Sequence, residues 1–553
     1  MKYTSSNKPI VQSIVNQLIG VGVHNIFIAP GSRNAPLTIA FAQCPEFICH
    51  SIVDERVAGF YALGMARELN EPVAIVCTSG TAVLNFAPAL CEAFYQEVPI
   101  VAITADRPSF WIDQEDGQTI RQPNIFANYV KLSASLPDER DNNSLQTAEL
   151  MLANALNELR TAPFGPIHIN VPLDNPLYEQ AEVECHSKSI FLPNRPKVCG
   201  LEQLKELCNS NLRSMILVGT NQPDEEINQL AKQCQALGFV VVASPLANIE
   251  AEQIETPELV LLAATEQQKT NLSPDLLITL GGPIVSKQVK LLLRTFKPKY
   301  HIDIDENPMR VDTYNCLTHK AIASTKQALQ YIVNNALSAD ATFGKSWENN
   351  KATNKTTDYC KQIDWCDLSI YPHIIKLIDK QDINLHLSNS TPVRFGELFA
   401  KAKGVNYYAN RGTSGIDGCL STAAGAAMAT SKTTLIITGD VGFFYDSNCF
   451  YNSHLPANLK VVLISNGRGS IFDLLGNARK TNAEQYFTTP HQFNAQHLCA
   501  AFKVDYFSAS SHQQVESVWQ KFISNGKCSV LELDTTTVDN EQIFSEFKKF
   551  VKG

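Results

Sequence analysis

Two oxygen-bearing side chains sit where an α/β sheet could use them together. The apolar run 434–438 (TLIIT) ends in Gly439-Asp440, and the run 459–465 (LKVVLIS) ends in Asn466. Asp440 and Asn466 are 26 residues apart, about one strand–helix–strand unit. Both should therefore emerge at the carboxyl ends of neighbouring parallel strands, where such sheets bind ligands. A carboxylate with an amide carbonyl is an all-oxygen pair suited to Mg²⁺, with diphosphate oxygens completing an octahedron. The NGRGS stretch that begins at Asn466 offers a backbone carbonyl and a close approach to phosphate. Taken alone, Gly-Asp after a strand also reads as a turn with a satisfied aspartate. Glu55, in VDERVAGFYALGMA, is the other chemical candidate. An acid in a helix's first turn usually complements the dipole. Its flanks Ile52, Val53 and Val57 would instead give it the apolar setting that raises a carboxyl pKa.

Strands and helices must position those groups. Short apolar runs recur at 25–29, 73–77, 100–104, 215–218, 239–243, 276–280, 300–304, 407–409, 434–438, 459–465 and 529–533. Helical periodicity covers 9–19, 53–68, 82–95, 224–237 and 286–296. Continuous apolar strands alternating with helices predict parallel sheets covered on both faces. Two polar tracts, around HSKSIFLPNRPKVCG and ENNKATNKTTDY, read as linkers. The pattern predicts three doubly wound parallel-sheet α/β domains, at 1–185, 198–340 and 365–553.

Composition excludes several classes. The 553 residues are 44% hydrophobic and 18% charged, enough for large cores. A net charge of −9 argues against a general nucleic-acid or anionic-membrane binder. An anionic substrate must then be held by a few local cations. The 15 cysteines include no C-x-x-C pair, and several, such as Cys77 and Cys419, lie in apolar runs. They read as small buried hydrophobes in a reducing compartment. The opening MKYTSSNKPIVQSIV lacks signal-peptide features, and no stretch of 18 apolar residues occurs. A cytoplasmic protein with no membrane insertion is expected.

In chain order stand PGSRNAPL, HSIVDERVAGFYALGMA, TSGTAVLN, TADRP, DGQTIRQPN, VRFGELF, NRGTSGIDGCLSTAAGAA and the GD…N pair. This order resembles the thiamine-diphosphate enzymes from end to end. Within them it resembles the 2-succinyl-5-enolpyruvyl-6-hydroxy-3-cyclohexene-1-carboxylate synthases of menaquinone biosynthesis. The resemblance implies pyrimidine-binding, central and diphosphate-binding domains, with thiamine diphosphate and Mg²⁺ or Mn²⁺ as cofactors. It implies that Glu55 hydrogen-bonds N1′ of the aminopyrimidine and promotes its imino tautomer. It implies Asp440 and Asn466 as metal ligands, with the main-chain carbonyl of Arg468 as the third. Ile416 would prop the bent cofactor, and Ser390 would help hold the diphosphate. It also implies a site shared between two chains, in a homodimer or homotetramer.

The implied reaction decarboxylates 2-oxoglutarate and adds the succinyl-carbanion equivalent to isochorismate in a 1,4 sense. Both substrates are dicarboxylates, and bidentate arginine is their economical partner. Arg33, Arg107, Arg394 and Arg411 lie in loops after strands or at a helix start and are the candidates. Each also reads as a solvated surface arginine. Ser32 and Gln118 would hydrogen-bond substrate, and Lys287 would add a cation. Ile471 and Phe472 would wall the carbon skeleton, although core residues would look the same. The wider family's Gly-Asp-Gly reads Gly439-Asp440-Val441 here, and its Asn-Asn reads Ser465-Asn466. Arg468 stands where glycine is common, so its side chain must turn from the metal or touch substrate.

Two rival readings remain at this point. One is another thiamine-diphosphate 2-oxoacid decarboxylase or an acetolactate-synthase-like carboligase. The four arginines and the absence of G-x-G-x-x-G weigh against it. The other is a non-catalytic paralogue, against which stand Glu55, Asp440 and Asn466, all present.

Overall fold

The computed structural model describes residues 2–186, 196–208, 211–250, 254, 256–348, 356, 359–360, 362–399, 401–475 and 481–552. Three parallel sheets organise them. The first has the spatial order Ile48–Ser51, Asn25–Ile28, Val73–Cys77, Ile100–Asp106, Ile167–Pro172, Ser133–Ser135. The last runs Val405–Tyr408, Ile383–Leu387, Thr433–Gly439, Leu459–Ser465, Ser529–Asp534, Asp505–Ala509. Counted along the chain within each sheet, both orders are 2-1-3-4-6-5. The central sheet has five strands, in the order Val240–Ala243, Ser214–Val218, Leu276–Leu280, Tyr300–Ile304, His319–Ala321.

Val73–Cys77 and Leu459–Ser465 are buried at every position, as strands with both faces covered must be. The strands that periodicity did not predict are the polar ones. Ile167–Pro172 and Ile383–Leu387 bury His168, Asn170, Asn384 and His386, which break up any apolar run. An antiparallel ribbon of Lys2–Ser6 and Gln180–Glu184 was also unpredicted, its sequence being largely polar and exposed. The expected helix at 82–95 is two helices, Thr81–Leu84 and Ala87–Gln96. Pro88 has no N–H to donate and fits only a first turn, so the helix restarts there. All the cysteines are free thiols, and most are buried. No described helix is long and apolar enough to cross a membrane.

One core cluster joins the first and last sheets, with Phe60, Tyr61 and Leu63 packed among Leu420, Ala423 and Ala424. There the helix Glu55–Leu69 crosses the helix Cys419–Met428. The approach is backbone to backbone. A Cβ on Gly64 would overlap the Thr422 carbonyl oxygen, and a Cβ on Gly425 would overlap that of Tyr61. Neither carbonyl can yield without moving a helix. Gly64→Ala should therefore cost roughly 3 kcal/mol, the upper end of overpacking penalties. A lowered urea midpoint checks this; an unchanged one would mean the two helices stand further apart.

Candidate active site

Loops at the carboxyl ends of the last sheet enclose a cleft of about 300 Å³. Ser390, Ile416, Asp440, Asn466, Arg468, Ile471 and Phe472 all line it. Asp440 opens the helix Asp440–Tyr445 directly after its strand and is buried. Its Oδ1 accepts the Val441 N–H at 2.7 Å, and its Oδ2 accepts those of Asn466 at 3.0 Å and Gly467 at 2.7 Å. Burial raises the Asp440 pKa, opposed by His491 and those N–H donors. The His491 Nε2 lies 3.5 Å from Oδ2. Gly467 has φ +76°, a conformation that side chains resist, so the turn can fold back onto Asp440.

Asn466 is oriented by a residue the sequence reading passed over. Its Nδ2 donates to Asp367 Oδ2 at 2.7 Å, and Asp367 Oδ1 accepts the Thr535 hydroxyl at 2.6 Å. With the nitrogen committed, Oδ1 is the atom available to a ligand; among the described residues it accepts the Arg468 N–H, at 3.1 Å. Burial lifts the Asp367 pKa to about 6. In sequence Asp367 looked like an ordinary first-turn acid beyond a linker, and His491 carried no signal at all. The Arg468 guanidinium pairs with Asp473 at 3.0 Å and Glu484 at 2.7 Å, which answers where that side chain goes. Among the described residues, no three His, Cys, Asp or Glu side chains cluster to hold a metal. The donors present are Asp440, Asn466 and main-chain oxygen, a hard set that fits Mg²⁺ bound with phosphate oxygens and not a thiolate–imidazole zinc site.

Glu55 stands outside that cleft, at the first position of its helix. Asp54 caps the helix, its Oδ1 accepting the N–H of Arg56 at 3.0 Å and of Val57 at 3.3 Å. The Glu55 carboxylate accepts from Asn85 Nδ2 at 3.4 Å, from the break between the two short helices. Burial raises its pKa. Ile52 and Val57 are buried as expected, while Val53 is 48% exposed.

The other candidates, Lys287 apart, fall around the same two places. Ser32 and Gln118 are exposed at the carboxyl end of the first sheet. Arg33 is 6% exposed and donates to the Leu173 carbonyl at 2.8 Å. Arg107 pairs with Asp116 at 3.1 Å and donates to the Gly117 carbonyl at 2.9 Å. Arg394 and Arg411 flank the cleft through two of its lining residues. Arg394 donates to the Ser390 carbonyl at 2.5 Å, and Arg411 to Asn389 Oδ1 at 2.7 Å. Lys287 is exposed at the start of Lys287–Thr295, and nothing in the described structure brings it to the cleft.

Glu397, just beyond the helix Thr391–Gly396, is 3% exposed. Burial lifts its pKa to about 8, helped by Glu258 and opposed by Arg411 and Lys290. Its folded pKa lies above the ordinary 4.5, so the folded state holds the extra proton. That contribution is full below pH 4.5 and is lost as pH rises through about 8. Glu397→Gln keeps the shape without the ionisation. Its melting temperature relative to the native chain should rise between pH 5 and pH 8.5, and a parallel profile would show that Glu397 is already ionised.

Parallel sheets with an Asp–Asn oxygen site at adjoining strand ends define a class, the thiamine-diphosphate enzymes. Family models agree: "Thiamine pyrophosphate enzyme, N-terminal TPP binding domain" matches 9–125, "Middle domain of thiamine pyrophosphate" matches 198–384, and "Thiamine pyrophosphate enzyme, C-terminal TPP binding domain" matches 392–533. The crystal structure of benzoylformate decarboxylase from Polynucleobacter necessarius shares the fold, with TM-score 0.69 and 15% identity over 95% of this chain and 98% of that one. The chain belongs to the 2-succinyl-5-enolpyruvyl-6-hydroxy-3-cyclohexene-1-carboxylate synthase family. It is 36% identical to the synthase of Christiangramia forsetii over 100% of both chains. It is 38% identical to that of Flavobacterium psychrophilum over 98% of each.

Proposed function

We propose that the chain decarboxylates 2-oxoglutarate and adds the succinyl unit to isochorismate in a 1,4 sense. The products are carbon dioxide and 2-succinyl-5-enolpyruvyl-6-hydroxy-3-cyclohexene-1-carboxylate, in menaquinone biosynthesis. The observation that carries this reading is the full-length identity with synthases of that name. Bound thiamine diphosphate supplies the nucleophilic carbon and the electron sink for loss of carbon dioxide.

The chain's own residues bind, orient and hold protons. Asp440, Asn466 and the Arg468 carbonyl hold Mg²⁺. From the cleft wall, Ser390 would hold the diphosphate and Ile416 would support the cofactor. Glu55 shares a proton with the aminopyrimidine nitrogen, a role its raised pKa supports. Arg33, Arg107, Arg394 and Arg411 take substrate carboxylates, and Ser32 and Gln118 hydrogen-bond substrate. Ile471 and Phe472 exclude water from the carbon skeleton. Lys287, at the start of its central-domain helix, would add a cation.

Glu55 lies outside the cleft that holds Asp440 and Asn466, which supports a site completed by a second chain in a homodimer or homotetramer. The three sheets support domain divisions at 1–185, 198–340 and 365–553. A cytoplasmic location belongs to this reading.

The test is isochorismate consumption, followed by absorbance, with thiamine diphosphate and Mg²⁺ and with or without 2-oxoglutarate. Consumption should require both 2-oxoglutarate and cofactor. Carbon dioxide release from pyruvate or an aromatic oxoacid, without isochorismate loss, would replace the substrates and keep the cofactor.

A further inference from the structure

The first and last sheets also meet away from the crossing helices. Glu92, on the helix Ala87–Gln96, is 2% exposed. Its Oε1 accepts the Gly412 N–H at 2.7 Å and the Gln96 side-chain amide at 2.5 Å. Its Oε2 accepts the Thr413 N–H at 2.7 Å and the Thr413 hydroxyl at 2.5 Å. Four donors thus converge on one buried carboxylate, and no lysine or arginine hydrogen-bonds to it among the described residues. Two consecutive backbone N–H groups meet the two oxygens as a fork, a geometry that fixes orientation as well as distance.

The gripped segment follows the strand Val405–Tyr408 and carries Arg411. Asn389 holds it as well. Its Nδ2 donates to the carbonyls of Asn410 and Gly415, both at 2.6 Å, and its Oδ1 accepts Arg411 Nη1 at 2.7 Å. Asn389 itself lines the cleft, and Ile416 follows the gripped segment directly. A buried carboxylate is costly to desolvate, and an apolar side chain would join two domains more cheaply. What the carboxylate adds is a fixed path for the backbone directly after Arg411, at Gly412 and Thr413, while Asn389 fixes Asn410 before it.

We propose that Glu92 is a positioning residue for the reaction: it clamps residues 410–415 against Asn389 so that the Arg411 guanidinium is pre-placed for a substrate carboxylate. The proposal rests on the reading of Arg411 as a substrate-binding residue. Substrate affinity should then depend on Glu92, although Glu92 touches no substrate.

Glu92→Gln keeps the volume but turns an NH₂ group toward an N–H donor. In the holoenzyme it should raise KM for one of the two substrates by about tenfold, the scale of a lost hydrogen bond to a charged group. The kcat should change less than about threefold, because uniform binding is what is lost. Thr413→Val removes one donor only and should move the same KM in the same direction by a smaller factor, which covers a Glu92→Gln chain that does not fold. Adding Glu92→Gln to Arg411→Ala should raise that KM no further, since the clamp acts through Arg411. A purely structural role would lower the melting temperature and leave both KM values alone, and that result overturns the proposal. Arg411→Ala with both KM values unchanged would remove Arg411 from the site and the proposal with it. Arg411→Ala with a raised KM, beside Glu92→Gln and Thr413→Val without one, would remove Glu92 alone.

Discussion

Glu55→Gln should cut turnover by about 10²–10⁴-fold, the range that a positioned proton-transfer group supplies. Affinity for Mg²⁺ and thiamine diphosphate should stay close to that of the native chain. The substitution is nearly isosteric, and a glutamine amide can still meet Asn85 across 3.4 Å. Asp54 goes on capping the helix, so Glu55 can change without unravelling its first turn. What is lost is a carboxyl group able to share a proton with a ring nitrogen. Burial already raises its pKa, the direction that eases proton sharing. Steady-state kcat measured beside a calorimetric cofactor titration separates the two effects. Near-normal turnover would take the proton role away from Glu55.

Asp440→Asn should act on binding before chemistry. The affinity for Mg²⁺ in the presence of thiamine diphosphate should fall by about 10²-fold or more, beyond the usual cost of losing an outer-sphere partner. Asp440 and Asn466 are the side-chain donors of the proposed metal site, and only Asp440 is charged. Its two oxygens also accept three N–H groups, from Val441, Asn466 and Gly467. An asparagine would turn its NH₂ toward at least one of them and displace the turn that carries the Arg468 carbonyl. Titration with Mg²⁺ at saturating cofactor reads this directly. An unchanged Mg²⁺ requirement would move the metal elsewhere.

The sequence showed the parts of this fold that are locally consistent. Val73–Cys77 and Leu459–Ser465 are apolar throughout because both faces are covered, and such runs stand out without any partner in view. Ile383–Leu387 did not stand out, because buried Asn384 and His386 interrupt it; Asn384 is satisfied by Glu68, 316 residues away. The cleft followed the same rule. Asp440 and Asn466 could be placed because each ends an obvious strand. Asp367 and Glu92 could not, since their meaning lies in partners far along the chain. Glu92 in particular sits in an ordinary amphipathic helix, and its hydrogen-bond partner Gly412 is 320 residues on. Arg468 was legible as an anomaly but not in its outcome, which depended on Asp473 and Glu484 being near.

The shared 2-1-3-4-6-5 strand order gives the site residues positional counterparts. After the first strand of each sheet come Ser32 and Ser390; after the second, Glu55 and Arg411. After the third come the TSGT turn and Asp440; after the fourth, Arg107 and Asn466. The glycine contacts are reciprocal too. Gly64 faces Thr422 and Gly425 faces Tyr61, each carbonyl three residues before the glycine on its own helix. Reciprocity of that kind is what a two-fold axis produces between identical subunits. The helices Glu55–Leu69 and Cys419–Met428 thus meet within one chain as two copies of a subunit would about a two-fold axis. In the proposed site the first sheet's domain supplies Glu55, and the last sheet's domain supplies Asp440 and Asn466.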